Sequence, residues 1–189
     1  MTGQTPPAKS CGSCTLCCKI LGIEEVDTLA WEWCQHCKPG RGCGVYETRP
    51  SVCREFECQW LCEPHLPESL RPSKCKVMLA GTDGPILNAY CDPNDPLAWR
   101  REPMYSLLKE RARTHWGGSL AVVARAGTRT WLINFDGETD LGFVDPRSEV
   151  RFEQLPGGRV KATVIPPVEG ARPAPGYAGG WVKPPGQPG

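Results

Sequence analysis

The sequence predicts an α+β chain in two unlike parts. A small, irregular, cysteine-rich metal-binding half comes first, followed by a β-hairpin, one helix and an antiparallel β-meander. Ten of the twelve cysteines fall within residues 11–62. Beyond them, short apolar runs alternate with clusters of Gly, Asp and Pro, as strands and turns do. Only one stretch, from Pro103 onward, has a sustained helical period.

Taken in order, residues 1–10 are rich in Pro and small polar side chains and read as a disordered leader. Residues 11–74 form the cysteine-cluster domain, with Gly40, Gly42 and Gly44 marking tight turns around Cys43. Within it, residues 20–26 read as a short strand and residues 28–33 as a helical turn. Little in this segment resembles a conventional core, so metal binding is expected to supply what apolar burial does not.

Residues 75–165 form a β-rich module packed on the first. Residues 76–80 and 86–90 flank Gly81-Thr82-Asp83-Gly84-Pro85 and predict a hairpin. Pro103 suits the first position of a helix reaching Trp116, with Met104, Leu107, Leu108, Ala112 and His115 on one face and Gly117-Gly118 as the stop. Strands are then expected at 119–125, 130–134, 141–144, 149–155 and 159–165, the last two joined by Pro156-Gly157-Gly158. Residues 166–189 are crowded with Pro and Gly and read as a tail without a core.

At 189 residues the chain suits one domain with a small appendage. An even cysteine count raises a disulfide framework. The N-terminus has no apolar signal core and no run is long enough to cross a bilayer. A soluble cytoplasmic protein with reduced thiols is the expectation. The formal charge of +1 makes no case for nucleic acid or membrane. Eight thiolates around two divalent ions would carry about four net negative charges. Lys9, Lys19, Lys38, Arg41, Arg49 and Arg54 are interleaved with the cysteines; most of them read as solvated surface charges.

The chemistry lies in the spacing. Cys11/Cys14, Cys14/Cys17 and Cys34/Cys37 are Cys-x-x-Cys pairs, whose tight turns let two sulfurs meet one ion. Adjacent Cys17 and Cys18 should diverge, on a strand or a helix, and serve different centres unless one is structural, which favours two close sites or one polynuclear cluster over a single ion. Sulfur ligation selects zinc, copper(I) or iron–sulfur clusters over magnesium and calcium. The opening C-x2-C-x2-C also begins like a bacterial ferredoxin motif, although the next cysteine follows at once and no proline does. His36, inside the Cys34/Cys37 pair, is a candidate nitrogen ligand or a supporting residue. His65 and His115 read as ordinary.

These residues carry a resemblance. Cys11-x2-Cys14-x2-Cys17-Cys18, then Cys37, then Gly42-Cys43-Gly44-Val45-Tyr46-Glu47-x-Arg49-Pro50-x2-Cys53-Arg54-x-Phe56-x-Cys58, resembles the CxxCxxCC cysteine-cluster family of the YkgJ type, described as a zinc- or iron-chelating domain. The likeness covers roughly residues 11–62. It implies metal ligation by Cys11, Cys14, Cys17, Cys18, Cys37, Cys43, Cys53 and Cys58, with Cys34, Cys62, Cys75 and Cys91 in excess of the pattern and Cys34 an alternative to Cys37. One branch, the flagellin lysine methylases, is associated with an iron–sulfur cluster. Their additional substrate-handling region is not recognisable in this chain, so methylase activity is not expected. Within the signature, Arg49 would donate to thiolate sulfur or pair with a carboxylate, Pro50 would stiffen the turn, and Tyr46 and Phe56 would cover the cluster.

No G-x-S-x-G elbow, P-loop, G-x-G-x-x-G or H-E-x-x-H occurs. Glu24-Glu25 and Asp136/Glu138/Asp140 read as turn and strand-end acids. Trp99, Trp116 and Trp131 mark a binding face, or, for at least two of them, the core. The expectation is a small cytoplasmic metal-binding protein holding zinc or iron, or an iron–sulfur cluster, with its β-rich half packing or binding a protein partner. The rival is an iron–sulfur enzyme in redox or radical chemistry.

Overall fold

Val, Ile, Trp and Thr crowd the second half, where their stiff or bulky side chains suit a pleated surface. The computed structural model describes residues 9–81, 86–115 and 120–169. Strands β3 (Val77–Gly81) and β4 (Ile86–Cys91) pair antiparallel as the sequence predicts, with Val77 opposite Cys91. Their predicted turn at 82–85 lies outside the described residues. β5 (Ala121–Ala126), β6 (Arg129–Asn134) and β7 (Gly137–Phe143) form the antiparallel meander, β7 being longer than the sequence suggests.

The two groups are one sheet, in the order β3-β4-β5-β6-β7, because β4 and β5 pair in parallel. Parallel neighbours need a crossover, and α5 (Met104–Thr114) lies on it. Pro103 stands just before this helix as its N-cap, and His115 ends it in a left-handed conformation at φ +45°. The predicted stop at Trp116 and Gly117-Gly118 lies outside the described residues, as do residues 1–8 of the leader and 170–189 of the tail. β8 (Glu149–Gln154) and β9 (Val160–Ile165) form a separate hairpin.

The sheet is covered on both faces, and β5 shows how. Val122 and Ala124 face a cluster with Trp99, Met104, Leu108 and Trp131. The alternate residues Ala121 and Val123 face Leu132 and Val160. Asn134 fastens the outer hairpin: its amide donates to the Val160 carbonyl at 3.0 Å and its oxygen accepts the Val160 N–H at 2.7 Å. Trp99 and Trp131 are therefore core residues, with ring centroids 5.6 Å apart. Trp116 lies outside the described residues.

The cysteine-rich half consists of very short elements: α1 (Cys17–Ile20), β1 (Cys37–Lys38), β2 (Gly42–Cys43), α2 (Ser51–Glu55), α3 (Gln59–Cys62) and α4 (Pro72–Cys75). The strand expected at 20–26 does not form. Leu16 and Ile20, four apart, both enter the core, and that helical spacing outweighs the apolar run that follows. Residues Glu24–Val26 make a 3-10 turn, closed by a lone bridge between Ile23 and Thr28. Residues 28–33 hold turns and no helix.

This half also has more apolar anchorage than its sequence suggests. Leu16, Ile20, Cys58, Trp60 and Leu70 are buried in the same cluster as Met78, Tyr90 and Trp99. Lys19 is buried rather than solvated and pairs with Asp92, at the end of β4, at 2.5 Å. Among the described residues no helix is long and apolar enough to cross a membrane.

Candidate metal centre

The first thiols are presented by a tight turn. Gly12, at φ +49°, lets the chain fold so that the Cys14 N–H donates to the Cys11 carbonyl at 2.8 Å. Gly42, at φ +114°, passes so close that a Cβ there would stand 3.0 Å from the Gly12 carbonyl oxygen. The β1–β2 hairpin is thereby held against the first loop, with Cys37 directly opposite Cys43. The Cys34 N–H donates to the Cys18 carbonyl at 2.9 Å and the Cys37 N–H to the Cys34 carbonyl at 2.9 Å. α2 and the loop after it then supply Cys53 and Cys58.

These loops enclose a cavity of about 290 Å³. Cys11, Cys14, Cys17, Cys18, Cys43, Cys53 and Cys58 line it, and so does Cys34. Cys37 is the one expected ligand not on its wall, although the Cys18 thiol is near enough to act on it. All twelve cysteines are free thiols. Cys62 is exposed beside Glu57, Cys75 bonds to the Leu70 and Val77 carbonyls, and Cys91 is buried in β4. None of these three lines the cavity.

Cys17 and Cys18 do not part as expected. Both line the same cavity, and the Cys17 thiol acts on that of Cys18. Both sit at the start of α1, where side chains lean back toward the N-terminus and over the preceding loop.

The thiols act on one another across the cavity. Burial pushes Cys58 up to about 11, and Cys14 and Cys11 add to the rise. Burial, then Cys14 and Cys18, raise Cys11, against the Arg49 and Arg71 guanidiniums. The neighbouring Cys17 thiol, followed by burial, raises Cys18 far above the ordinary thiol range. Burial, followed by Cys18 and Cys34, pushes Cys37 up to about 12. Cys53 reaches about 11 through burial, with Cys18, Cys34, Cys43 and Glu25 adding. Thiols held this high are weak nucleophiles at neutral pH; a nearby cation is what would ionise them.

The donor set fits a soft metal, since sulfurs from five separate loops and helices converge on one partly closed space. The side chains do not stand in a closed shell: among the described residues no group of three or more His, Cys, Asp or Glu is arranged to hold a metal ion.

Around the thiols, Arg49 gives its N–H groups to the Tyr46 and Cys53 carbonyls at 2.6 and 3.4 Å, rather than to sulfur or a carboxylate. Its guanidinium lies 3.8 Å from the Tyr46 ring centroid. Tyr46 and Phe56 line the cavity wall, as a cover would. Arg71, which spacing did not single out, anchors the first loop through the Cys11 carbonyl at 2.5 Å. Lys9 donates to the Glu63 and Leu66 carbonyls and, like Arg71, lies over the Trp60 ring. Contacts between residues some sixty positions apart leave no local signal in a sequence.

The acidic groups do not converge. Asp136, Glu138 and Asp140 pair separately with Arg159, Arg100 and Arg129. Set against family models, curated proteins and solved structures, the chain matches none of them.

Proposed function

We propose that this chain is a thiolate metal-binding protein, with its cysteine cluster as the site and zinc or iron, or an iron–sulfur cluster, as the cargo or resident group. The observation that carries this reading is the convergence of seven of the eight expected cysteines, with Cys34, on one cavity. The eight cysteines that the resemblance implies, with Cys34 as an alternative to Cys37, are enough for two four-sulfur centres. A bound ion would supply the positive charge that turns these raised thiols into thiolates. Arg49 and Arg71 stand near Cys11 and offset part of the resulting negative charge.

Membership of the CxxCxxCC family and a reducing, cytoplasmic setting belong to the same proposal, supported by the cysteine spacing and by twelve unpaired thiols. The β-rich half would pack on the site or bind a protein partner. The test is elemental analysis of anaerobically purified full-length protein, together with its visible spectrum. About two zinc ions per chain and no colour are expected for four-sulfur sites. A brown protein with iron and sulfide identifies the group as an iron–sulfur cluster, the condition that the alternative of an iron–sulfur enzyme requires. A chain that keeps its fold after chelation and contains oxidised cysteine pairs overturns metal binding.

A further inference from the structure

A second, open recess of about 470 Å³ lies beside the thiol cavity. The two share a wall: Val26, His36, Val45 and Pro50 line both. The recess is polar at its outer side, where Glu25, Thr48 and Ser51 line it and the Ser51 hydroxyl lies 3.4 Å from a Glu25 carboxylate oxygen. Glu25 is exposed, whereas His36 is half-buried between Cys34 and Cys37. Its backbone is held by the Gly44 N–H, which donates to the His36 carbonyl at 2.8 Å. The Glu25 charge is near enough to act on the Cys53 thiol.

Glu25 brings a carboxylate to the exposed recess, His36 belongs to the shared wall and the cysteines line the cavity beyond, so the donor types run from oxygen to nitrogen to sulfur. That is also the order of increasing preference of a borderline-soft divalent cation, and of decreasing ease of release. We infer that this recess is the route by which a divalent cation reaches and leaves the thiols, with Glu25 collecting it and His36 passing it across the shared wall. The inference rests on the metal-binding reading and adds a path to it. No electrons move: a sulfur that takes the ion gives its proton to solvent.

The experiment follows Zn²⁺ by stopped flow, first entering metal-free full-length protein, then leaving it for a chromophoric chelator. Glu25→Gln and His36→Ala are expected to slow both directions about tenfold, the scale on which groups beside a metal site act. The zinc-to-protein ratio finally reached should stay that of the unaltered chain. Glu24→Gln, an exposed neighbour outside the recess, is the control and should change neither. Unchanged rates in both variants overturn the inference, as does equal slowing in the control, which would reveal a diffuse charge effect. A lower zinc ratio in His36→Ala also overturns it, by making His36 a resident ligand. If the unaltered protein retains no zinc or iron at all, the metal-binding reading itself has failed, a result separable from any of these.

Discussion

The two halves reach their shapes by different means. From β3 onward, strands of five to seven residues pair along their length and bury side chains on both faces, around Trp99, Leu108 and Trp131. The cysteine-rich half has helices of four or five residues and a ladder of two residue pairs. Such elements are far below the roughly 12–15 residues at which an isolated helix becomes even marginal. They stay in place through turns and a few apolar side chains pressed into the sheet's core and, on the metal-binding proposal, through an ion shared by their sulfurs. One half is stabilised by area, the other by points of attachment.

Metal removal should separate the halves most. Sulfur-bound zinc contributes about 10 kcal/mol or more to small thiolate folds. After chelation under reducing, anaerobic conditions, amide exchange is expected to accelerate across residues 11–62 while β4, β5 and β6 remain protected. Simultaneous loss of protection everywhere would show that the two halves do not differ in this way. The complementary lesion is Trp99→Ala, which empties a fully buried site beside Tyr105 and Trp131. It should cost about 3–5 kcal/mol in denaturant unfolding, with the metal-to-protein ratio unchanged.

Asp92→Ala acts on the seam and leaves Lys19 buried without its partner. A loss of about 3 kcal/mol is expected. Burial alone would raise the Asp92 carboxyl, but the Lys19 ammonium and the Asn94 N–H outweigh it and hold the group below its ordinary value. Its contribution is therefore present above about pH 4 and lost as the pH falls through the lower folded value. Acid titration of stability should be shallower in the variant than in the unaltered chain.

At alkaline pH the sign reverses. Burial holds Cys75 at about 11 and Cys91 at about 12, both above the ordinary 9.0. The unfolded chain gives up these protons first, so stability should decline as the pH rises from about 9 toward the folded values. Cys91→Ala should flatten that decline, and an unaltered slope would refute the assignment. Least of all, Phe143→Ser on exposed β7 should stay within about 0.5 kcal/mol, because the side chain is 77% exposed.

The sequence foretold the two halves unequally, and for reasons tied to particular residues. Local pairings were legible because turn-forming residues announce them: β3–β4 and β8–β9 each flank a Gly/Pro-bearing stretch of sequence. The parallel contact of Ile86 with Ala121 was not, because nothing in either strand encodes a partner across α5. In the cysteine-rich half the spacing nominated the thiols that line the cavity, yet misjudged how Cys17 and Cys18 point. Their directions follow from Leu16 and Ile20 docking into a core that the local sequence does not contain. Lys19 could not be singled out from the other basic residues for the same reason, since its partner is in another part of the chain. Among the described residues no closed ligand shell has formed, so the division of sulfurs between centres is not legible in geometry either.

The ion pair between Lys19 and Asp92 gives the seam between the halves a reporting role. Lys19 adjoins Cys18, and Asp92 adjoins Cys91 and the turn leading to Trp99, so one contact spans both folding regimes. Equilibrium linkage is reciprocal. Filling the thiols should therefore be felt locally, at Lys19 and at the Trp33 ring, whose centroid lies 5.3 Å from its ammonium, making indole fluorescence at that seam a gauge of how full the cysteine cavity is.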